Sequence, residues 1–168
     1  MNKKSEICKS PIKICQILIL LIVLTLDQLS KIYVLKITDA SEQTVIKLTS
    51  FLNIVLTWNR GVTFGMFNDL TYGKMIFTIF AIILTIILSI WMFKSKDKLE
   101  VSAIAMIIGG ALGNIIDRIR FGAVVDFIDF YIYSYHWYVF NIADSAICLG
   151  VMILLYINIM FNVRGENK

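Results

Sequence analysis

Asp117, Asp126, Asp129 and Asp144 fall in or beside long hydrophobic runs, where an apolar chain has little reason to keep a carboxylate. Asp126 stands in Val-Val-Asp-Phe, and Asp144 follows Phe140-Asn141-Ile142-Ala143. Neither has a basic residue in its own run, so a local ion pair accounts for neither. Two carboxylates brought within a few ångströms cannot both ionise, and such a pair shares one proton. The ionised member can take a proton from water while the protonated member hydrogen-bonds the carbonyl under attack; returning the proton then expels an amine. This is metal-free peptide hydrolysis. By residue type alone Asp117 and Asp129 are rivals for the same work. Asp117 adjoins Arg118, which reads as a carboxylate kept ionised by its neighbour, and Asp129 lies deeper in an aromatic stretch.

Other hydrolytic chemistries lack their parts. His136 is the one histidine, so H-E-x-x-H is absent, and a serine mechanism lacks both its usual histidine partner and G-x-S-x-G. His136 itself reads as an interfacial polar residue. Cys8, Cys15 and Cys148 show no metal-ligand spacing and are odd in number, so they read as buried, inert thiols. No metal and no cofactor is expected.

Three further polar groups sit against the apolar grain, where ionisable residues mark function by default. Asp27-Gln28-x-x-Lys31 puts an acid and a base on one helix face in the favourable order. Asn59-Arg60-Gly61, followed by Phe64-Gly65, is a turn on residue preference or a binding element. In Gly109-Gly110-Ala111-Leu112-Gly113-Asn114-Ile115-Ile116-Asp117-Arg118, glycines permit close helix approach, and Asn114, Asp117 and Arg118 project from one face. Asn141 and Asp144 likewise share a helical face.

The elements that carry these groups are helices in lipid. The chain of 168 residues is 58% hydrophobic and only 17% charged, and its mean hydropathy is +0.79. A soluble domain is about a quarter charged. Apolar runs over residues 12–35, 75–93, 101–118 and 137–161 are each near the length of a bilayer crossing. The first is too long for a cleaved leader and carries Asp27 and Lys31 at its far end. The expected fold is an all-α membrane protein of one domain, residues 1–168, with four transmembrane helices. A small β-rich extracytoplasmic segment is expected over residues 38–72, between helices 1 and 2, and could close over a substrate.

Nine of the 16 lysines and arginines crowd the N-terminal tail, the 94–98 loop and the C-terminal tail, which predicts both termini in the cytoplasm. The polar groups then all lie toward the outer face. Tyr131, Tyr133, Tyr135, Trp137 and Tyr138 suit an interfacial belt. The net charge of +4 is a topology signal, and no nucleic-acid partner is implied. A proton-coupled carrier would need carboxylates near mid-membrane, and a structural anchor would not explain unpaired aspartates.

Taken together, these motifs resemble the lipoprotein signal peptidase (signal peptidase II) family over nearly the whole chain. The resemblance rests on Asp27-Gln28-x-x-Lys31, Asn59-x-Gly61, Gly-Gly-Ala-Leu-Gly-Asn114-x-x-Asp117-Arg118, Val-Val-Asp126-Phe and Phe-Asn141-x-Ala143-Asp144, in this order. Each motif is weak alone; the five in series are specific. The resemblance implies an aspartic peptidase of the bacterial inner membrane, embedded in membrane lipid and sensitive to globomycin; a monomer is expected because one chain contains the full set of polar groups. Its substrate would be a prolipoprotein bearing a diacylglyceryl group, cut just before the lipidated cysteine. The catalytic pair would be Asp126 and Asp144, and Asp27, Lys31, Asn59, Gly109, Asn114, Arg118 and Asn141 would orient the substrate. Arg60 departs from the small polar residue that can follow the asparagine, which bears on contacts in the outer segment.

Overall fold

The computed structural model describes residues 10–41, 45–61 and 73–165. Phe64-Gly65, the rest of the 62–72 stretch, Cys8 and the terminal lysines Lys3, Lys4, Lys9 and Lys168 lie outside the described residues. The helices are α1 (Ser10–Ser41), α2 (Gly73–Lys94), α3 (Lys98–Phe121) and α4 (Ile142–Gly165). The strands are β1 (Val45–Lys47), β2 (Leu52–Asn59), β3 (Val124–Ile132) and β4 (Tyr135–His136). All four helices are long and apolar enough to cross a membrane.

The helices bury polarity and expose hydrocarbon, the reverse of a soluble bundle. On α1, Asp27, Lys31, Val34 and Thr38 form a buried stripe, while Leu18, Leu21, Ile22, Leu26 and Leu29 are exposed. Lipid solvates the outer face, so only the polar face needs protein partners. Helix α3 is the central post: 61% of its spanning window is buried, against 6% for α2. Its start is capped by Asp97, whose carboxylate accepts the Glu100 N–H at 2.8 Å. Its end is set by Gly122 in the left-handed region at φ 72°, the N–H donating back to the Arg118 carbonyl.

Close approach to α3 depends on its glycines. A Cβ at Gly109 would lie 2.8 Å from the Leu20 carbonyl oxygen of α1, and one at Gly110 would lie 2.5 Å from the Ala143 carbonyl oxygen of α4. A Cβ at Gly113 would collide with the Asp27 carboxylate. Toward the opposite end, Met92, Val101, Ile104, Ala105 and Ile108 form an apolar cluster.

The sheet is antiparallel with strand order β1-β2-β3-β4. It includes the expected strands between α1 and α2, but recruits two more from the segment between α3 and α4. Helix α1 runs on to Ser41, past the expected start of the β-rich segment near residue 38. Helix α4 begins at Ile142 and not near residue 137, because the preceding backbone pairs with β3: Trp137 N–H donates to Phe130 O, and Phe140 exchanges hydrogen bonds with Ile128. A register shift between β2 and β3 sorts their polar side chains. Ile54 faces Ile128 but Thr57 faces Asp126, so β2 holds one extra residue between those pairs. Strand side chains alternate faces, and this bulge turns Asn59 onto the face of Asp126 while Asn53 stays on the face of Asp129.

Cys15 and Cys148 are exposed free thiols on the apolar helix surface, not buried ones. A membrane helix need not turn a small apolar side chain inward.

Candidate active site

The site is built from the inside outward, starting at Lys31. Its ammonium has three N–H donors, and all three are used. They meet Asp27 Oδ2 at 2.8 Å, Asp117 Oδ2 at 2.7 Å and Asn114 Oδ1 at 3.1 Å. Asp27, Lys31 and Asp117 are 0%, 2% and 1% exposed, so this cluster is sealed from solvent. Two carboxylates against one ammonium leave one negative charge, spread over neutral donors. Gln28 Nε2 donates to Asp27 and Asp117, the Val125 N–H donates to Asp117 Oδ2, and the Ala143 N–H donates to Asp27 Oδ1 at 2.9 Å. That last bond ties α1 to a free N–H in the first turn of α4, where a carboxylate also complements the helix dipole.

Asp144 is positioned by the start of its own helix. The Asp144 N–H donates to Asn141 Oδ1 at 2.9 Å, and the Asn141 N–H donates back to Asp144 Oδ2 at 3.3 Å. This reciprocal arrangement is a capping box, with Asn141 as the cap and Asp144 as the third helical residue. The other Asp144 oxygen accepts from Asn114 Nδ2 of α3 at 2.8 Å.

Asp126 comes from β3 and is 2% exposed. Its Oδ1 accepts from Asn141 Nδ2 at 2.7 Å and its Oδ2 from Asn59 Nδ2 at 3.0 Å. Asn141 therefore bridges the two carboxylates, its amide on Asp126 and its backbone N–H on Asp144. Among the described residues, neither aspartate is in a salt bridge. Burial, and then the Asp144 charge, push the Asp126 carboxyl up from 3.8 to about 7, against the pull of Asn59, Asn141 and the Lys31 charge. Half-buried Arg118 lies close enough for its charge to act on Asp144, Asp126 and Asp117. Its hydrogen bond among the described residues is a long one, 3.4 Å from Nη1 to the Asn114 carbonyl, leaving most of its donors open.

The residues singled out in the sequence divide three ways. Asp126, Asp144, Asn59, Asn114, Asn141 and Arg118 surround one polar centre. Asp27 and Lys31 stand behind it, inside the helix packing, and Gly109 is a contact between α1 and α3. Among the rivals, Asp117 is held by Lys31 from α1, and not by its neighbour Arg118, because adjacent helical residues point apart. Asp129 faces away from the centre: it accepts from Asn53 Nδ2 at 2.9 Å and contacts His136 Nδ1 at 2.9 Å. His136 is thus a partner of a buried carboxylate, stacked on Tyr131, and more than an interfacial polar group. Two contributors were not read from the sequence as site residues: Gln28, whose place beside Asp27 was the available signal, and the Ala143 backbone N–H, which had none. Among the described residues no three His, Cys, Asp or Glu side chains are grouped as metal ligands.

Four apolar helices of membrane-spanning length around a carboxylate pair that makes no salt bridge among the described residues have the makings of a membrane aspartic peptidase. A sequence model of the family described as Signal peptidase (SPase) II matches residues 19–161. A lipoprotein signal peptidase of Pelagibacter ubique (strain HTCC1062) is 39% identical over 90% of this chain and 92% of its own length. One from Rhodopseudomonas palustris (strain TIE-1) is 43% identical over 83% and 88%. A bacterial membrane enzyme solved by the in meso method at 2.3 Å superposes with a TM-score of 0.77 at 32% identity, covering 92% of this chain and 93% of that one. The chain belongs to the signal peptidase II family and is an aspartic endopeptidase.

Proposed function

We propose that the chain removes signal peptides from diacylglyceryl-modified prolipoproteins, cutting just before the lipidated cysteine, with Asp126 and Asp144 as the catalytic pair. Family membership supports the coarser statement, a lipoprotein signal peptidase in a membrane. The observation that carries the finer one is the single asparagine, Asn141, joining two carboxylates that form no salt bridge among the described residues.

With Asp126 raised to about 7, the pair holds one proton near neutrality. The ionised carboxylate takes a proton from water as the oxygen attacks the scissile carbonyl carbon. The protonated carboxyl donates to the carbonyl oxygen. The tetrahedral intermediate collapses as a proton passes to the nitrogen, the C–N bond breaks, and the lipidated cysteine leaves with a free amine. Asn59, Asn114 and Asn141 hold the carboxylates, and the open donors of Arg118 suit a substrate carbonyl oxygen. Asp27, Lys31 and Gly109 serve the substrate indirectly, by fixing the helices behind the pair.

The basic tails and the 94–98 loop support a bacterial inner-membrane protein with both termini cytoplasmic and the site toward the outer face. A substrate anchored by its lipid would reach such a site from within the bilayer. One chain supplies every group of the constellation, which supports a monomer working as one domain. The test is cleavage of a diacylglyceryl-modified prolipoprotein peptide in detergent, with chelator present, by the parent, Asp126→Asn and Asp144→Asn. Loss of turnover in both folded variants sustains the pair. Parental activity in either transfers the role to another residue.

A further inference from the structure

We infer that Lys31 is a positioning residue that acts on Asp144 through the side-chain amide of Asn114, and that it touches no substrate. The inference rests on the proposed peptidase function.

A side-chain amide can sit in its place in two ways, with oxygen and nitrogen exchanged, and the partners decide between them. At Asn114 the oxygen faces Lys31 Nζ at 3.1 Å and Asn141 Nδ2 at 3.2 Å, while the nitrogen faces Asp144 Oδ1 at 2.8 Å. Exchanging them would set donor against donor on one side and oxygen against oxygen on the other. Of the two groups holding this orientation, Lys31 is the stronger. An ammonium has no acceptor to offer, so only an oxygen can face it, and its bond is charge-assisted. The amide nitrogen of Asn141 is spread over Asn114, Val125 and Asp126, with its shortest contact, 2.7 Å, on Asp126.

The ammonium itself cannot turn away. Its other two hydrogens are committed to Asp27 and Asp117, and its side chain is 3% exposed. The chain of contacts therefore runs in one direction, from an immobile cation to an amide of fixed orientation to the Asp144 carboxylate, whose second oxygen is held by the Asn141 N–H. Both Asp144 oxygens are then pinned in one plane. Without the ammonium, the Asn114 oxygen keeps only its shared contact with Asn141, so the amide can rock in place and let the Asp144 carboxylate leave that plane. A substrate peptide has no route to Lys31, which lies behind Asn114 and between two buried carboxylates.

The test uses the full chain in detergent and the diacylglyceryl-modified peptide, comparing Lys31→Met, Asn114→Leu and the double variant. Misplacing a reacting group by about an ångström costs about 100-fold in rate. Lys31→Met is therefore expected to lower kcat about 100-fold with KM within about twofold of the parent, and Asn114→Leu to do the same. Because the two act in one chain, the double variant should fall within about twofold of the weaker single. Raised KM at parental kcat would make Lys31 a substrate contact, and multiplicative losses would make the residues independent; either overturns the inference while leaving the peptidase function intact. A parent that fails to cleave the peptide overturns both. Lys31→Met leaves two buried carboxylates unpaired, so if it does not fold, Lys31→Met/Asp117→Asn, which keeps the cluster at one negative charge, is compared with Asp117→Asn. The same kcat loss at unchanged KM is expected there, and its absence refutes the inference.

Discussion

Asp126→Asn should destroy activity yet gain stability relative to the parent as pH rises. The native chain holds the Asp126 proton at about 7 where an ordinary carboxyl holds it at 3.8. A proton bound more tightly in the folded state stabilises that state. The stabilisation is complete below about pH 4 and is lost as pH rises through 7. Between pH 5 and pH 8 the parent should lose about 3 kcal/mol from this one group. The asparagine does not titrate, so it is spared that loss. It does face the Asn59 and Asn141 amides with one nitrogen where both oxygens had accepted, a mismatch of about 1–3 kcal/mol at any pH. Relative to the parent, the variant should therefore gain about 3 kcal/mol from pH 5 to pH 8, and it should be the more stable of the two at pH 8. Thermal unfolding in detergent reads this directly, since 3 kcal/mol is roughly 6–12 °C for a chain of this size. A difference between parent and variant that stays constant from pH 5 to pH 8 would refute the raised Asp126 carboxyl and the shared proton built on it.

The same geometry sets the outcome of other substitutions. Gly113→Ala drives a methyl group into the Asp27 carboxylate, and unfolding measurements should show a loss of about 1–3 kcal/mol. Asp27→Leu leaves the Ala143 N–H without its acceptor and Lys31 with one carboxylate, so it should cost about 3–5 kcal/mol in the same assay. Cys15→Ala with Cys148→Ala should keep parental turnover and stay within about 0.5 kcal/mol of parental stability, because both thiols lie on the exposed helix surface. Globomycin should abolish cleavage of the lipidated peptide by the parent, and undiminished cleavage at saturating inhibitor would count against the proposed substrate site.

Some of the site could be read directly from the chain. Lipid leaves an apolar surface unchallenged, so an ionisable or amide side chain deep in a span is best turned inward, as Asp27, Lys31, Asn114 and Asp117 are. The Asn141-x-x-Asp144 spacing is a helix-start pattern, and the box forms as such, even though the apolar run before it suggested an earlier start. The unpaired character of Asp126 and Asp144 was visible because no cation shares their runs. These are local properties, set within a turn or two of helix.

What the chain could not disclose is which distant groups meet. Lys31 reaches Asp117 of α3 as well as Asp27 on its own helix, Asn59 reaches Asp126 across 67 residues, and the Ala143 N–H reaches Asp27 across 116. The strand pairing between α3 and α4 was not legible because Val124, Val125 and Phe127 are buried beside the polar Asp126, hiding the alternation that announces a strand. One extra residue in β2 decided that Asn59, and not Asn53, serves Asp126. Spacing along a chain records which residues share a face; which faces come together depends on how closely three glycines let α3 pack, and only the folded structure settles that.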